Sequence, residues 1–374
     1  MDEISSAKDF KKLTLKEIKE KVKLVKDQLP DDEKKVITYS KNFTLSLSNY
    51  CVNQCGYCYY NYKIPKSKGG INVILLNIER IAELSQKALQ YNCKEALLMS
   101  GERSGSFYEV KKELEKLNYS DLMEYLKEIC TYLLDFQILP HINLGFLTYN
   151  EMKELKNFTS SMGLMLESTC MDLFNKGKVH EHSIGKLPEK RIEHITNAGK
   201  LKIPFTTGLL VGIGEHFEDI ISDLLLIKSI HDKYNHIQEV IIQNFVKKDG
   251  IPYQPKNLIS FQDMLKITGI ARIIFKNDIA IQVPPNLITG LEKKFIEMGI
   301  DDFGGISPFT IDYINPDNQW PQIDKLLKIC KDNDYNLKER LPVYDKYIRK
   351  ESFCPENIKK VINNMNLDVE YSKV

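Results

Sequence analysis

The chain has 374 residues, 43% hydrophobic and 28% charged, enough for a sizeable folded core and unlike a disordered or collagen-like chain. Lys plus Arg (52) nearly balance Asp plus Glu (51), so bulk charge draws the chain toward neither nucleic acid nor anionic lipid. No run of about 18 apolar residues occurs and the first residues lack an apolar signal core; the expectation is a cytoplasmic protein with no membrane or nucleic-acid partner.

Residues 1–40 read as a helical lead-in: Lys, Asp and Glu dominate, and an amphipathic stretch from Leu15 to Leu29, ended by Pro30, predicts a solvated helix. Beyond it, short apolar runs alternate with longer helical patterns. Strands are predicted at 43–48, 95–100, 139–144, 163–167, 205–212, 239–245, 279–283 and 302–306. Helices are predicted near 75–91, 120–135, 149–158, 187–200, 217–233, 260–276, 286–298 and 320–332. Eight strand–helix repeats call for an α/β fold with a parallel sheet, closed as a (β/α)8 TIM-type barrel over 41–334; an open doubly wound sheet is the alternative. The tail, 335–374, broken by Pro342 and Pro355, is expected to be an extension that caps the barrel.

Directly after the first strand stands Cys51-Val-Asn-Gln-Cys55-Gly-Tyr-Cys58. Without a signal peptide, close thiols mark a metal or catalytic site more often than a disulfide. A structural zinc site normally takes four ligands, and no second pair follows at a suitable spacing. An iron–sulfur cluster tolerates three thiolates if one iron is left for a non-protein ligand, and this is the preferred reading over zinc or chance clustering. Cys93, Cys130, Cys170, Cys330 and Cys354 are scattered and expected to pack as small hydrophobes.

Barrel chemistry sits at the C-terminal ends of the strands, and those ends are polar here. The second offers Ser100, Gly101 and Glu102; the third, His141 and Asn143; the fourth, Glu167; the fifth, the segment Gly208 to Glu215 with Gly212 inside it. The sixth ends in Gln243 and Asn244, and the seventh in Gln282 and Asn286. His180 and His182 lie in a loop that suits either a lid or a substrate contact, and Tyr57, between two of the cysteines, could shield a cluster or stack on a nucleoside.

The Cys-x3-Cys-x2-Cys spacing, with an aromatic before the last cysteine and after a first barrel strand, resembles the signature of the radical S-adenosylmethionine (SAM) superfamily. The resemblance implies that Cys51, Cys55 and Cys58 hold a 4Fe-4S cluster whose fourth iron SAM chelates. It also implies that Ser100-Gly101-Glu102 meets the SAM amine, Glu167 the ribose, and the segment with Gly212 and Glu215 the adenine. Leu210 stands where Ile is common. Further blocks, Met162-Gly-Leu-Met-Leu-Glu167, His236-Ile-Gln-Glu-Val-Ile-Ile-Gln-Asn-Phe245, Gln282-Val-Pro-Pro-Asn-Leu287 and Asp312-Tyr-Ile-Asn-Pro316 among them, are similar to the family of deazariboflavin synthases, in the subunit that closes the deazaflavin ring, over roughly 36–347. That resemblance implies a small-molecule substrate, an adduct of a hydroxybenzyl group and 5-amino-6-(D-ribitylamino)uracil. It further implies an external one-electron donor and a sister radical SAM subunit that makes the adduct. His141, Glu167 and His182 are then the candidates for proton transfer, and Asn143, Gln243, Asn244, Gln282 and Asn286 for the uracil and ribityl groups. Ile184 replaces the family's usual Pro in the histidine loop. The alternatives are the sister subunit, a menaquinone-pathway relative and, from another class, a non-catalytic iron–sulfur protein.

Overall fold

The computed structural model describes residues 7–64 and 72–365; the first six residues of the expected lead-in and the last nine of the expected extension lie outside them. In chain order the elements are α1 (Ala7–Lys12), α2 (Leu15–Lys26), β1 (Val36–Ser48), α3 (Ile78–Gln90), β2 (Glu95–Ser100), α4 (Tyr108–Lys116), α5 (Leu122–Asp135), β3 (Leu139–Asn143), α6 (Tyr149–Leu155) and β4 (Ser161–Gly163). There follow α7 (Pro188–Lys200), β5 (Phe205–Val211), α8 (Phe217–Tyr234), β6 (Ile237–Asn244), α9 (Phe261–Phe275), β7 (Ala280–Gln282), α10 (Glu292–Glu297), β8 (Asp302–Ile306), α11 (Ile323–Lys331), β9 (Asn336–Glu339), α12 (Asp345–Ile348) and α13 (Glu356–Asn364). Helix starts follow local chemistry. Thr14 with Glu17 and Thr148 with Glu151 form capping boxes, Asn77, Asp121 and Ser260 cap through side-chain oxygens, and Pro188 opens α7.

Strands β1 to β8 pair in parallel in sequence order, and β1 pairs with both β8 and β2, so the barrel closes. Period-two alternation sorts the side chains. Along β6, Glu239, Ile241 and Gln243 face the interior cavity while Val240 and Ile242 join the core under the helices; along β2, Glu95, Leu97 and Met99 face in while Ala96 and Leu98 face out. A register shift between Ser46 and Ser48 ends β1 just before the cysteine loop.

Four departures from the expected elements have local causes. The lead-in is not merely solvated: Ile18 and Val22 are buried on α9, where Gly269 permits contact, since a Cβ there would fall 2.4 Å from Ile18. Strand β1 begins at Val36, because its first four residues pair with β9, a strand from the tail. The fourth strand stops at Gly163, and the extended chain beyond makes one bridge, Glu167 to Leu209, where Glu167 takes a left-handed backbone (φ 65°). The helix expected at 286–298 is cut to α10, because Gly290 takes a left-handed backbone (φ 84°) within it. The tail seals the bottom of the barrel. Leu341, Val343 and Tyr347 pack with Leu139, and the Pro342 carbonyl accepts from Ser161 Oγ and Gln238 Nε2, both at 2.9 Å.

Candidate active site

A cavity of about 360 Å³ runs inside the barrel from the cysteine loop to the tail. Cys51, Cys55 and Cys58 all line its upper end. The loop that carries them is tied down by backbone bonds: Gly56 N–H donates to Val179 O (2.8 Å), Gln54 N–H to His182 O (3.0 Å), Tyr253 N–H to Gly56 O (2.9 Å) and Cys58 N–H to Cys55 O (3.0 Å). From β2, Gly101 N–H donates to Ser48 O at 2.7 Å, an approach only glycine allows, since a Cβ at 101 would lie 2.1 Å from the Tyr50 carbonyl oxygen. Glu102 N–H then donates to Cys51 Sγ at 3.2 Å.

Burial pushes the Cys51 thiol up to about 12 and raises Cys55 as well, so a bound cation is what would hold them as thiolates. Among the described residues no three His, Cys, Asp or Glu converge as they would around a single ion. Thiols that share a wall without converging suit a cluster in which each binds a different iron. The polar groups around them also fit a bound ligand: Arg191 Nε, His180 Nδ1 and Asn244 Oδ1 are buried without a partner, and Arg191 and Asn244 line the cavity. The five other cysteines are free and buried, away from the triad's loop in sequence.

Glu102 is buried and paired with Arg191 at 2.9 Å, and it accepts from Phe146 N–H at 3.1 Å. Burial alone would raise its carboxyl, but Arg191, then Lys186, Phe146 N–H and Asn53 outweigh it and hold it below the usual range. Glu167 pairs with Lys186 at 2.5 Å, and Lys186 also lies 6.0 Å from the centre of the Tyr57 ring. The Tyr57 hydroxyl meets His180 Nε2 at 3.0 Å.

Ser100, Gly101, Asn143, Gln243, Asn244 and Gln282 line the cavity, as does His141. His141 Nδ1 meets Ser161 Oγ at 2.7 Å, and burial pushes the imidazole down to about 3, so it is neutral at ordinary pH. Four expected site residues stand apart from this wall. His182 is exposed beside Glu181, and His180 is the histidine turned inward. Glu215 accepts from Gly212 N–H (2.6 Å) and Ile213 N–H (2.8 Å), so both Glu215 and Gly212 are engaged in shaping their own turn. Asn286 donates to Asp312 Oδ2 (3.0 Å) and Asn318 O (3.2 Å), bracing the loop after β8 whose Asp312, Tyr313 and Asn315 line the cavity.

Sequence reasoning missed Lys186, Arg191, Lys248, Glu95, Glu239 and Arg340, which all line the cavity. Glu95 and Glu239 did carry a signal: each is a carboxylate at an inward position near the start of a buried barrel strand.

The barrel and its thiol triad define a class. A family model described as the Radical SAM superfamily matches residues 45–227, and the solved FeFe-hydrogenase maturase HydG from Carboxydothermus hydrogenoformans superposes with a TM-score of 0.70 over 89% of this chain and 76% of its own, at 18% identity. Methylornithine synthase (PylB) gives 0.67 over 89% and 94%, at 16% identity; at such identities the likeness is one of fold. Sequence comparison is narrower. Proteins named 7,8-didemethyl-8-hydroxy-5-deazariboflavin synthase from Methanococcus aeolicus and Methanocaldococcus jannaschii are 44% and 45% identical, each over 88% of this chain and 90% of its own length. The one from Methanothermobacter thermautotrophicus is 42% identical over 87% and 97%. The chain belongs to the 7,8-didemethyl-8-hydroxy-5-deazariboflavin synthase family of radical SAM enzymes, and its cofactors are a 4Fe-4S cluster and SAM.

Proposed function

We propose that the chain closes the deazaflavin ring. It converts the hydroxybenzyl adduct of 5-amino-6-(D-ribitylamino)uracil, with SAM, to 7,8-didemethyl-8-hydroxy-5-deazariboflavin, ammonia, methionine and 5'-deoxyadenosine, which makes it an ammonia-releasing carbon–nitrogen lyase. The observation that carries this reading is the near full-length similarity to the deazariboflavin synthases, and the cavity inside the barrel supports it.

Cys51, Cys55 and Cys58 would hold the cluster. When bound and reduced, it supplies the electron that cleaves SAM to methionine and a 5'-deoxyadenosyl radical. The chain's own residues aim and shield. Glu102, kept charged by Arg191, is placed to accept from the SAM ammonium, and Glu167, steadied by Lys186, from ribose hydroxyls. His141, neutral with Nδ1 engaged, offers Nε2 as a hydrogen-bonding group to substrate. The closed barrel floor and the packed loops exclude water, which a primary alkyl radical requires of its surroundings. Asn143, Gln243, Asn244 and Gln282 supply paired donors and acceptors for the uracil ring. The electron comes from an external donor and the adduct from a sister radical SAM subunit. A cytoplasmic setting accords with a described chain in which no helix is long and apolar enough to cross a membrane.

The test is anaerobic incubation of the reconstituted protein with SAM, a reductant and the adduct. Deazaflavin fluorescence with matching 5'-deoxyadenosine is the expected result. Cleavage of SAM driven by free tyrosine and not by the adduct would transfer the chain to the sister activity, and no cleavage with either would overturn the reading.

A further inference from the structure

The end of the cavity away from the cysteines is built from charge. Glu95 opens β2 and Glu239 lies near the start of β6, so in a parallel barrel both sit at the bottom, and both line the cavity beside Asn42, Thr206 and Arg340. Arg340 arrives from the tail, directly after β9. Its Nε donates to Asp302 Oδ2 (2.6 Å), one terminal nitrogen donates to Asp302 Oδ1 (2.8 Å) and Glu239 Oε1 (2.7 Å), and the other donates to Leu341 O (3.1 Å). The cation is therefore largely occupied, and what it does is hold Glu239 in place. The other cavity-lining cations, Lys186, Arg191 and Lys248, come from loops and a helix at the opposite end.

The carboxylates keep acceptor capacity. Glu239 Oε2 has one long contact, from Thr206 Oγ1 at 3.3 Å, and Glu95 is held by Ser40 Oγ and Asn42; a carboxylate offers about four lone-pair sites. With Asp302 behind them, three carboxylates face one guanidinium. Such a floor favours a neutral group rich in hydroxyls and offers an anion no cation that is not already paired.

We propose that Glu95 and Glu239, the latter positioned by Arg340, form the subsite that binds the polyol end of the substrate and set specificity for an unphosphorylated chain. This rests on the ring-closing reading above. Ring closure joins the benzyl and uracil parts, which must therefore lie toward the cysteines, and leaves the ribityl chain as the part that reaches the floor. Several hydroxyls match several acceptors, whereas a phenol brings one donor, and the uracil carbonyls would face carboxylates of like polarity.

The test uses reconstituted full-length protein and three adducts: one with the ribityl chain, one with methyl in its place, and one with a terminal phosphomonoester. For the natural protein, kcat/KM should fall at least tenfold for the methyl form, because several hydrogen bonds are lost, and further for the phosphomonoester. Glu95→Gln should raise KM for the ribityl adduct about tenfold with little change in kcat, and should narrow its advantage over the methyl form. Equal use of all three adducts overturns the proposal, as does a Glu95→Gln protein with undiminished discrimination. If Glu95→Gln does not fold, the adduct series decides by itself. Absence of SAM cleavage with the ribityl adduct in the natural protein would instead bring down the ring-closing reading and the subsite with it.

Discussion

Replacing Arg191 by Met tests the electrostatics of the upper site. The Arg191 and Glu102 side chains are 2% and 6% exposed, so Arg191→Met leaves a buried carboxylate whose nearest compensation is Phe146 N–H, Asn53 and Lys186. Removing one partner of a buried ion pair costs about 3–5 kcal/mol. For 374 residues, an unfolding entropy of about 2.1 cal/mol/K per residue amounts to about 0.8 kcal/mol/K, so Tm should fall by about 4–6 °C. The pH dependence carries the sharper sign. In the natural protein the Glu102 carboxyl is held below its unfolded value, so its contribution is present above the usual carboxylate range and lost as pH falls through the folded value. In the variant, burial is no longer outweighed and the carboxyl moves up, so the deficit should be largest near pH 8 and shrink toward pH 5. Thermal unfolding of both proteins at the two pH values measures this. A deficit that is absent, or that grows on acidification, refutes the argument.

Three further outcomes can be checked. Gly101→Ala would place a Cβ 2.1 Å from Tyr50 O and 2.8 Å from Cys51 Cβ; the reconstituted variant should lose most of its iron and its absorbance near 400 nm, and full iron loading would contradict the close approach. His141, His180, His194 and His236 are each pushed down to about 3 by burial. Their unfolded forms take up protons first, so stability is complete above about pH 7 and falls below about 6.5, by up to about 1.4 kcal/mol per pH unit for each; a urea midpoint unchanged between pH 7.5 and 5.5 would exclude this. Ile18→Ala empties a fully buried position of α2 where it packs against α9 and should cost about 2–4 kcal/mol, read as a lower Tm with 5'-deoxyadenosine yield per folded molecule unchanged.

The barrel was legible where local pattern and tertiary demand agree. Strands β2 and β8 are short runs bounded by turns or helices and appear at the expected residues, and the thiol triad directly follows β1. The site was less legible because its chemistry is held by pairs distant in sequence. Glu102 was visible at a strand end, but Arg191 lies 89 residues on, and Glu239 meets Arg340 across 101 residues; no periodicity records such a meeting. Glu215 and Asn286 show the converse. Each is a polar residue near a strand end, which reads as a ligand, and each also bonds to nearby backbone or loop groups, a pairing that no sequence pattern records.

Among the described residues, the tail that crosses beneath the barrel closes its base and leaves a mouth at the thiol end. Reactivity is confined to the mouth, where the thiols sit, and depth is set at the base by residues 340–344, far away in the sequence. The two can therefore change separately. A shift of the strap by one residue would lengthen or shorten the space available to a substrate without touching the thiol loop, so, with the proposed subsite at the floor, the stretch after β9 would act as a ruler for the molecule standing on it.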